Sequence, residues 1–164
     1  MATSTLLQKL DPVADGFGAS TSHRRQVESF LTTLTNGGGA PATISLTAGT
    51  WVAFNSAATG SDKVLKVLTA ANVAAGNTLV VGVVLETVSA LLDAGASLEV
   101  TVKVVTSGFV SVAAVTTGVA AGSRLVIDTT AGRADAAAAG EIPCGVALTL
   151  AAANVAEVLV IPQF

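Results

Sequence analysis

Ala48-Gly49-Thr50-Trp51-Val52-Ala53-Phe54 and Ala121-Gly122-Ser123-Arg124-Leu125-Val126-Ile127 are one strand phrase written twice. Each is followed by a polar turn and then by a second phrase. In the first copy this is Val81-Gly82-Val83-Val84-Leu85; in the second it is Cys144-Gly145-Val146-Ala147-Leu148. A third strand closes each copy, Leu98-Glu99-Val100-Thr101-Val102 and Val155-Ala156-Glu157-Val158-Leu159-Val160. Valine-rich runs bounded by Gly, Asn and Asp are strand signals. Two copies make a pseudo-symmetric body and not a solenoid, which needs about three repeats or more. The expectation is an all-β chain, a compact barrel or sandwich built by duplicating a three-strand unit. Gly82 should match Gly145, and Trp51 should match Arg124.

The rest of the body reads the same way. Strands are expected at 43–46, 50–55, 78–87, 98–105, 124–128, 142–148 and 157–161, with weak alternation at 63–68. Phe109 to Val115 crosses between the copies. Ser89 to Asp93, Asn72 to Ala75 and Ala151 to Ala156 have the length of one helical turn each. Asp128-Thr129-Thr130-Ala131-Gly132-Arg133 is read as a polar hairpin turn.

Residues 1–36 differ from the body. Asp11-Pro12 and Gly16-Phe17-Gly18 break any regular element. Ser22 to Leu34 fits either a helical turn or two, capped by Ser22, or an extended segment docked on a partner. Residues 37–42 read as a Gly-rich hinge. The organisation expected is an extended N-terminal arm (1–36), the hinge, and a β-rich body (43–164).

A chain of 164 residues buries a real core without metal or disulfide staples. Its net charge of −3, with only 12% charged residues, gives no basic surface for nucleic acid. Its most apolar window, Leu79 to Leu92, is too short for a membrane helix and is broken by Gly82 and Glu86. The opening Met1-Ala2-Thr3-Ser4-Thr5 is not expected to be a secretory signal, because no basic n-region followed by an apolar h-region is present there. The one cysteine, Cys144, excludes an intrachain disulfide and reads as a small buried hydrophobe.

Catalytic resources are few. The only histidine, His23, lies in the expected arm, where an oriented base has no rigid setting. One Cys and one His do not make a zinc site, and the carboxylates are spread singly. Gly16-Phe17-Gly18 lacks the lysine and the preceding strand of a phosphate loop. The most distinctive polar cluster is Ser22-His23-Arg24-Arg25-Gln26-Val27-Glu28-Ser29-Phe30. Its functional reading is a docking segment. Arg24 and Arg25 offer bidentate pairs to carboxylates, with Glu28 beside them and Phe30 as an apolar anchor. Its plainer reading is a solvated loop or helix start.

The body resembles the small tailed-phage capsid cement (head decoration) proteins. The resemblance is carried by Ala48-Gly49, Ala121-Gly122, the Asp128–Arg133 turn, Gly145-Val146-Ala147-Leu148 and the closing strand that ends at Phe164. The Ser22-to-Phe30 pattern also looks like the arm of some members. The resemblance implies a structural protein without enzymatic activity and without a cofactor. It implies the major capsid protein as partner, on the outer surface of the virion. It implies a homo-oligomer there, with a trimer favoured by the symmetry of capsid sites. Nucleic acid and membrane are not among the expected partners. The rival reading is a head-fibre, adhesin or carbohydrate-binding module, which calls for exposed aromatics; the chain has one Trp and no Tyr. A head protease is disfavoured by the residue inventory.

Overall fold

The computed structural model describes residues 25–55, 57–70 and 79–162. Among these run β1 (Gln26–Thr35), β2 (Ala42–Leu46), β3 (Trp51–Phe54), a single helical turn α1 (Asp62–Leu65) and β4 (Val67–Thr69). Then come β5 (Val80–Val84), β6 (Val88–Leu92), β7 (Ser97–Ala114), β8 (Arg124–Ile127), β9 (Ala134–Ala136), β10 (Gly145–Ala147) and β11 (Val155–Val160). The described residues are all-β apart from that one turn. β2 and β6 form a separate ribbon. The others form one sheet in the order β4-β3-β5-β7-β11-β10-β8-β9, with β1 also paired to β7.

That order is a palindrome about the β7–β11 boundary, and the register repeats residue for residue. Trp51 pairs with Val83 and Val52 with Gly82; Arg124 pairs with Val146 and Leu125 with Gly145. Phe54 pairs with Val67 as Ile127 pairs with Ala134. Val84 pairs with Val104 as Ala147 pairs with Val158. Even the turns correspond. Gly49 (φ 87°) donates its N–H to the Val84 carbonyl, and Gly122 (φ 83°) donates to that of Ala147. The left-handed φ at both is the reason for a glycine there. The duplication therefore holds, with Gly82 matching Gly145 and Trp51 matching Arg124.

The unit is larger than three strands. β4 and β9 are equivalent fourth strands. β1 is a fifth: Glu28 and Phe30 lie opposite Val104 and Val102, as Val110 and Ala113 lie opposite Val158 and Ala156. The C-terminal half of β7 is thus the second copy's version of β1. The third strand of the first copy is also not Leu98–Val102 but the stretch around Val104 and Val105, which is the part that meets β5. In each copy the fourth and fifth strands meet only at a single parallel bridge, Leu31–Lys66 and Val115–Ala134, which is too little to close either sheet into a barrel.

These strands correct the expected domain boundaries. Residues 26–35 are neither an arm nor helical. They form a full strand of the sheet, with Phe30, Thr32 and Leu34 buried. Residues 37–42 do not act as a hinge either. The buried Asn36 side-chain amide donates to the carbonyls of Ala40, Leu92 and Asp93, and its oxygen accepts from Gly38 N–H. Burial of one amide with four satisfied bonds pins the turn between β1 and β2. Residues 1–24, including the Asp11-Pro12 and Gly16-Phe17-Gly18 breaks and His23, lie outside the described residues, as does Asn72 to Ala75. Ser89 to Asp93 forms most of β6 and is not helical. Ala151 to Ala156 is a turn, with Ala153 and Asn154 at positive φ, that leads into β11.

Two cores result. One face of the first copy, with Val52, Val67, Val81, Val84, Val102 and Val104, packs under Phe30, Leu34 and the β2–β6 ribbon, which contributes Leu46 and Leu92. Its opposite face, with Trp51, Ala53, Val83 and Val105, packs onto the inner face of the second copy, with Leu125, Ile127, Cys144, Ala147 and Val158. The layers run ribbon, first copy, second copy. The β8–β9 hairpin locks the copies together. Gly132 at its tip accepts the N–H of Trp51 and donates to the carbonyl of Ala70.

Candidate functional site

Arg25 is half-buried just before β1, and Gln26, Val27, Glu28 and Ser29 are exposed on its first half. Gln26 donates to the Glu28 carboxylate at 2.6 Å. Arg24 lies outside the described residues. Phe30 is only 7% exposed, and its ring meets Phe54 edge-on at 6.1 Å. Alternation along the strand turns it away from Ser29 and into the first core; Glu28 shares its face but stands on the exposed first half of the strand. The predicted cluster is thus divided: its polar members remain on the surface, whereas its aromatic anchor belongs to the fold. Phe30→Ala is expected to destabilise the protein by about 3 kcal/mol, the lower end for a buried Phe. Urea denaturation checks this. A change under about 0.5 kcal/mol would return Phe30 to the docking segment.

The polar chemistry elsewhere is structural. Lys66 bridges Asp62 (3.1 Å) and Glu99 (2.7 Å), which raise its pKa. Asp128 is disfavoured as an anion by burial. Hydrogen bonds from Thr129, from the Thr130 backbone and from Thr116 outweigh that and hold its carboxyl below the usual value. These bonds tie the β8–β9 turn, expected from sequence as a polar hairpin, to the strand end. Burial pushes the Cys144 thiol up to about 12, and its sulfur lies against the Leu125 carbonyl at 3.3 Å. Among the described residues no three His, Cys, Asp or Glu side chains gather as metal ligands.

What the structure adds is a surface that sequence reading missed. The face of the first copy that carries Trp51, Ala53, Val83 and Val105 is buried under the second copy. The matching positions in the second copy are Arg124, Val126, Val146 and Leu159, and nothing in the described chain lies over them. Arg124 is exposed, Val126 and Val146 are half-buried, and Leu159 is 41% exposed. Leu148 extends the face, at 43% exposed. Three of the four matched positions have stayed apolar without a covering layer. The signal was present in the sequence as the match of Val83 to Val146, but alternation alone does not say which face lacks a lid.

At one end of this face Phe109, Leu148, Leu159, Ile161 and Pro162 line a shallow groove of about 390 Å³. A second groove of about 400 Å³ lies between β1, β2 and β4 and is hydroxyl-lined, by Thr32, Thr33, Thr35, Ser45 and Thr69. No family model matches the chain, and no curated protein matches it.

Proposed function

We propose that the chain is a structural cement protein of a viral head. It binds the outer surface of the shell across joints between major capsid proteins, as the resemblance of its body to phage decoration proteins implies. The observation that supports this reading is the uncovered apolar face of the second copy. It is a sheet surface with an apolar centre at Val126, Val146 and Leu159 and the charged side chains of Arg124, Asp135 and Glu157 beside it. An apolar centre with a polar rim is the anatomy of a protein-binding surface. A folded sheet with cores on both sides supplies the rigid cap that such a role needs. Self-association on the shell, as a trimer, belongs to the same reading, and Arg25 and Glu28 remain available as secondary contacts.

The rival carbohydrate-binding reading needs an aromatic platform. Trp51, the only tryptophan, is fully buried, and so is of no use for stacking on a sugar.

The test uses heads purified without the protein and then titrated with it, with bound density measured by electron microscopy. Parent protein should decorate the heads at regular lattice positions. Val126→Asp with Leu148→Asp should lower occupancy at least tenfold while the melting temperature stays within a few degrees. Failure of the parent to decorate heads would overturn the reading; full occupancy by the variant would move attachment to another face.

A further inference from the structure

We propose that the gap between β1 and β4 is a site for strand addition, and that it takes an extended segment of a partner protein, laid antiparallel to both strands. This goes beyond the cement reading and uses none of the residues of the open face.

The register defines the gap. β1 and β4 run parallel and touch at one bridge, Leu31–Lys66. Both continue past it, β1 to Thr35 and β4 to Thr69, and no further bridge joins the two among the described residues. In an antiparallel pair only alternate residues aim their N–H and C=O at the partner strand. Asn36 N–H donates to the Ala96 carbonyl, which assigns the even-numbered residues of β1 to β7. Asn55 N–H donates to the Lys66 carbonyl and Ala70 N–H to that of Trp51, which assigns the even-numbered residues of β4 to β3. Thr33, Thr35 and Thr69 therefore turn their backbone groups into the gap, where no described strand meets them. The hydroxyl-lined groove lies at this place. Consecutive residues of both strands line it, 32–35 and 66–69. A groove on a sheet face would show alternate residues; a groove between two edges shows all of them.

The second copy leaves no such opening. Its equivalent strand ends at the bridge, where Thr116 N–H donates to the Ala134 carbonyl and a turn follows. Edges that face water are usually blunted by charge, proline or a bulge. β1 carries such devices in its first half, with Glu28 and the register shift at Gln26/Val27, but its second half is Thr32-Thr33-Leu34-Thr35. An added strand would gain main-chain hydrogen bonds on two sides, and its alternate side chains would supply specificity. Those pointing inward would lie over Leu34, Leu46 and Val67, which favours β-branched apolar residues. At the bridged end Lys66 stands between Asp62 and Glu99, two carboxylates to one ammonium. That imbalance favours a Lys or Arg at the C-terminal end of the segment, the end that antiparallel pairing brings there.

Hydrogen exchange of the full-length protein, followed by NMR, tests this. In dilute protein the amides of Thr33, Thr35 and Thr69 should exchange near the free-chain rate. Those of Val100 and Val102, paired to β1, should stay protected and so establish that the sheet is intact. The probe is the peptide acetyl-Thr-Val-Thr-Val-Thr-Lys-amide. At millimolar concentration it should slow the three threonine amides by about tenfold or more, and the same peptide with every second amide nitrogen methylated should not. Equal effects of the two peptides, or no effect of either, would overturn the proposal. Threonine amides already protected in dilute protein would also overturn it, and would give the gap to the chain's own residues. Protection that grows with protein concentration alone would overturn it in favour of a second copy.

Discussion

A Gly82→Ala chain is expected to lose more than about 4 kcal/mol, which removes most of the stability margin of an ordinary domain. The reason is geometric. A Cβ on residue 82 would sit 2.0 Å from the Val105 carbonyl oxygen and 2.8 Å from its carbon. Both are backbone atoms of the neighbouring strand β7, so relief requires β5 and β7 to part. They are joined by only two register pairs, Val83–Val105 and Val84–Val104, and separating them opens both cores at once. The matched position gives an internal comparison. A Cβ on Gly145 would meet the Leu159 carbonyl oxygen at 2.9 Å and the Trp51 ring at 3.0 Å. Gly145→Ala should therefore be destabilising but less so. Urea denaturation measures both. A Gly82→Ala protein within about 1 kcal/mol of the parent would mean that the close approach of the strands is not what fixes the glycine.

Trp51→Ala is the second large effect. The side chain is fully buried between the copies, and its indole N–H donates to the Ala114 carbonyl at 3.0 Å. Truncation should cost about 3–5 kcal/mol for the lost packing. About 1 kcal/mol more follows from the carbonyl left without its donor. Arg124→Ala, at the matched exposed position, should change stability by under about 0.5 kcal/mol. Circular dichroism is the probe, since the variant has lost its only tryptophan. Similar costs at the two positions would refute the asymmetry on which the open face rests.

Much of this fold was legible because duplication leaves a pattern that single strands do not. The match of Gly82 to Gly145 and of Trp51 to Arg124 marked β5 with β10 and β3 with β8 as equivalent strands. β1 was not legible. Its seat against Val102 and Val104 is shared with the stretch around Val110 and Ala113, but Phe30 and Ala113 have no likeness as residues. The helical spacing of Val27, Phe30, Leu31 and Leu34 competed with the strand alternation of Phe30, Thr32 and Leu34, where a buried threonine breaks the apolar pattern. β9 was hidden too, because Ala134-Asp135-Ala136 has no β-branched residue and is held by pairing with β8 and by one bridge from Ala134 to Val115. Asn36 looked like the start of a flexible run of glycines, whereas its amide does the fixing. The open face followed neither from composition nor from alternation. It depends on which of two equivalent faces acquired a tryptophan and a partner layer, and that is a tertiary fact.

β7 is eighteen residues long and serves both copies, closing the first with its N-terminal half and opening the second with its C-terminal half. The duplicated units are therefore joined by covalent backbone as well as by the core between them. A force applied to one passes to the other through peptide bonds, so parting the two faces at Trp51 does not by itself free either unit.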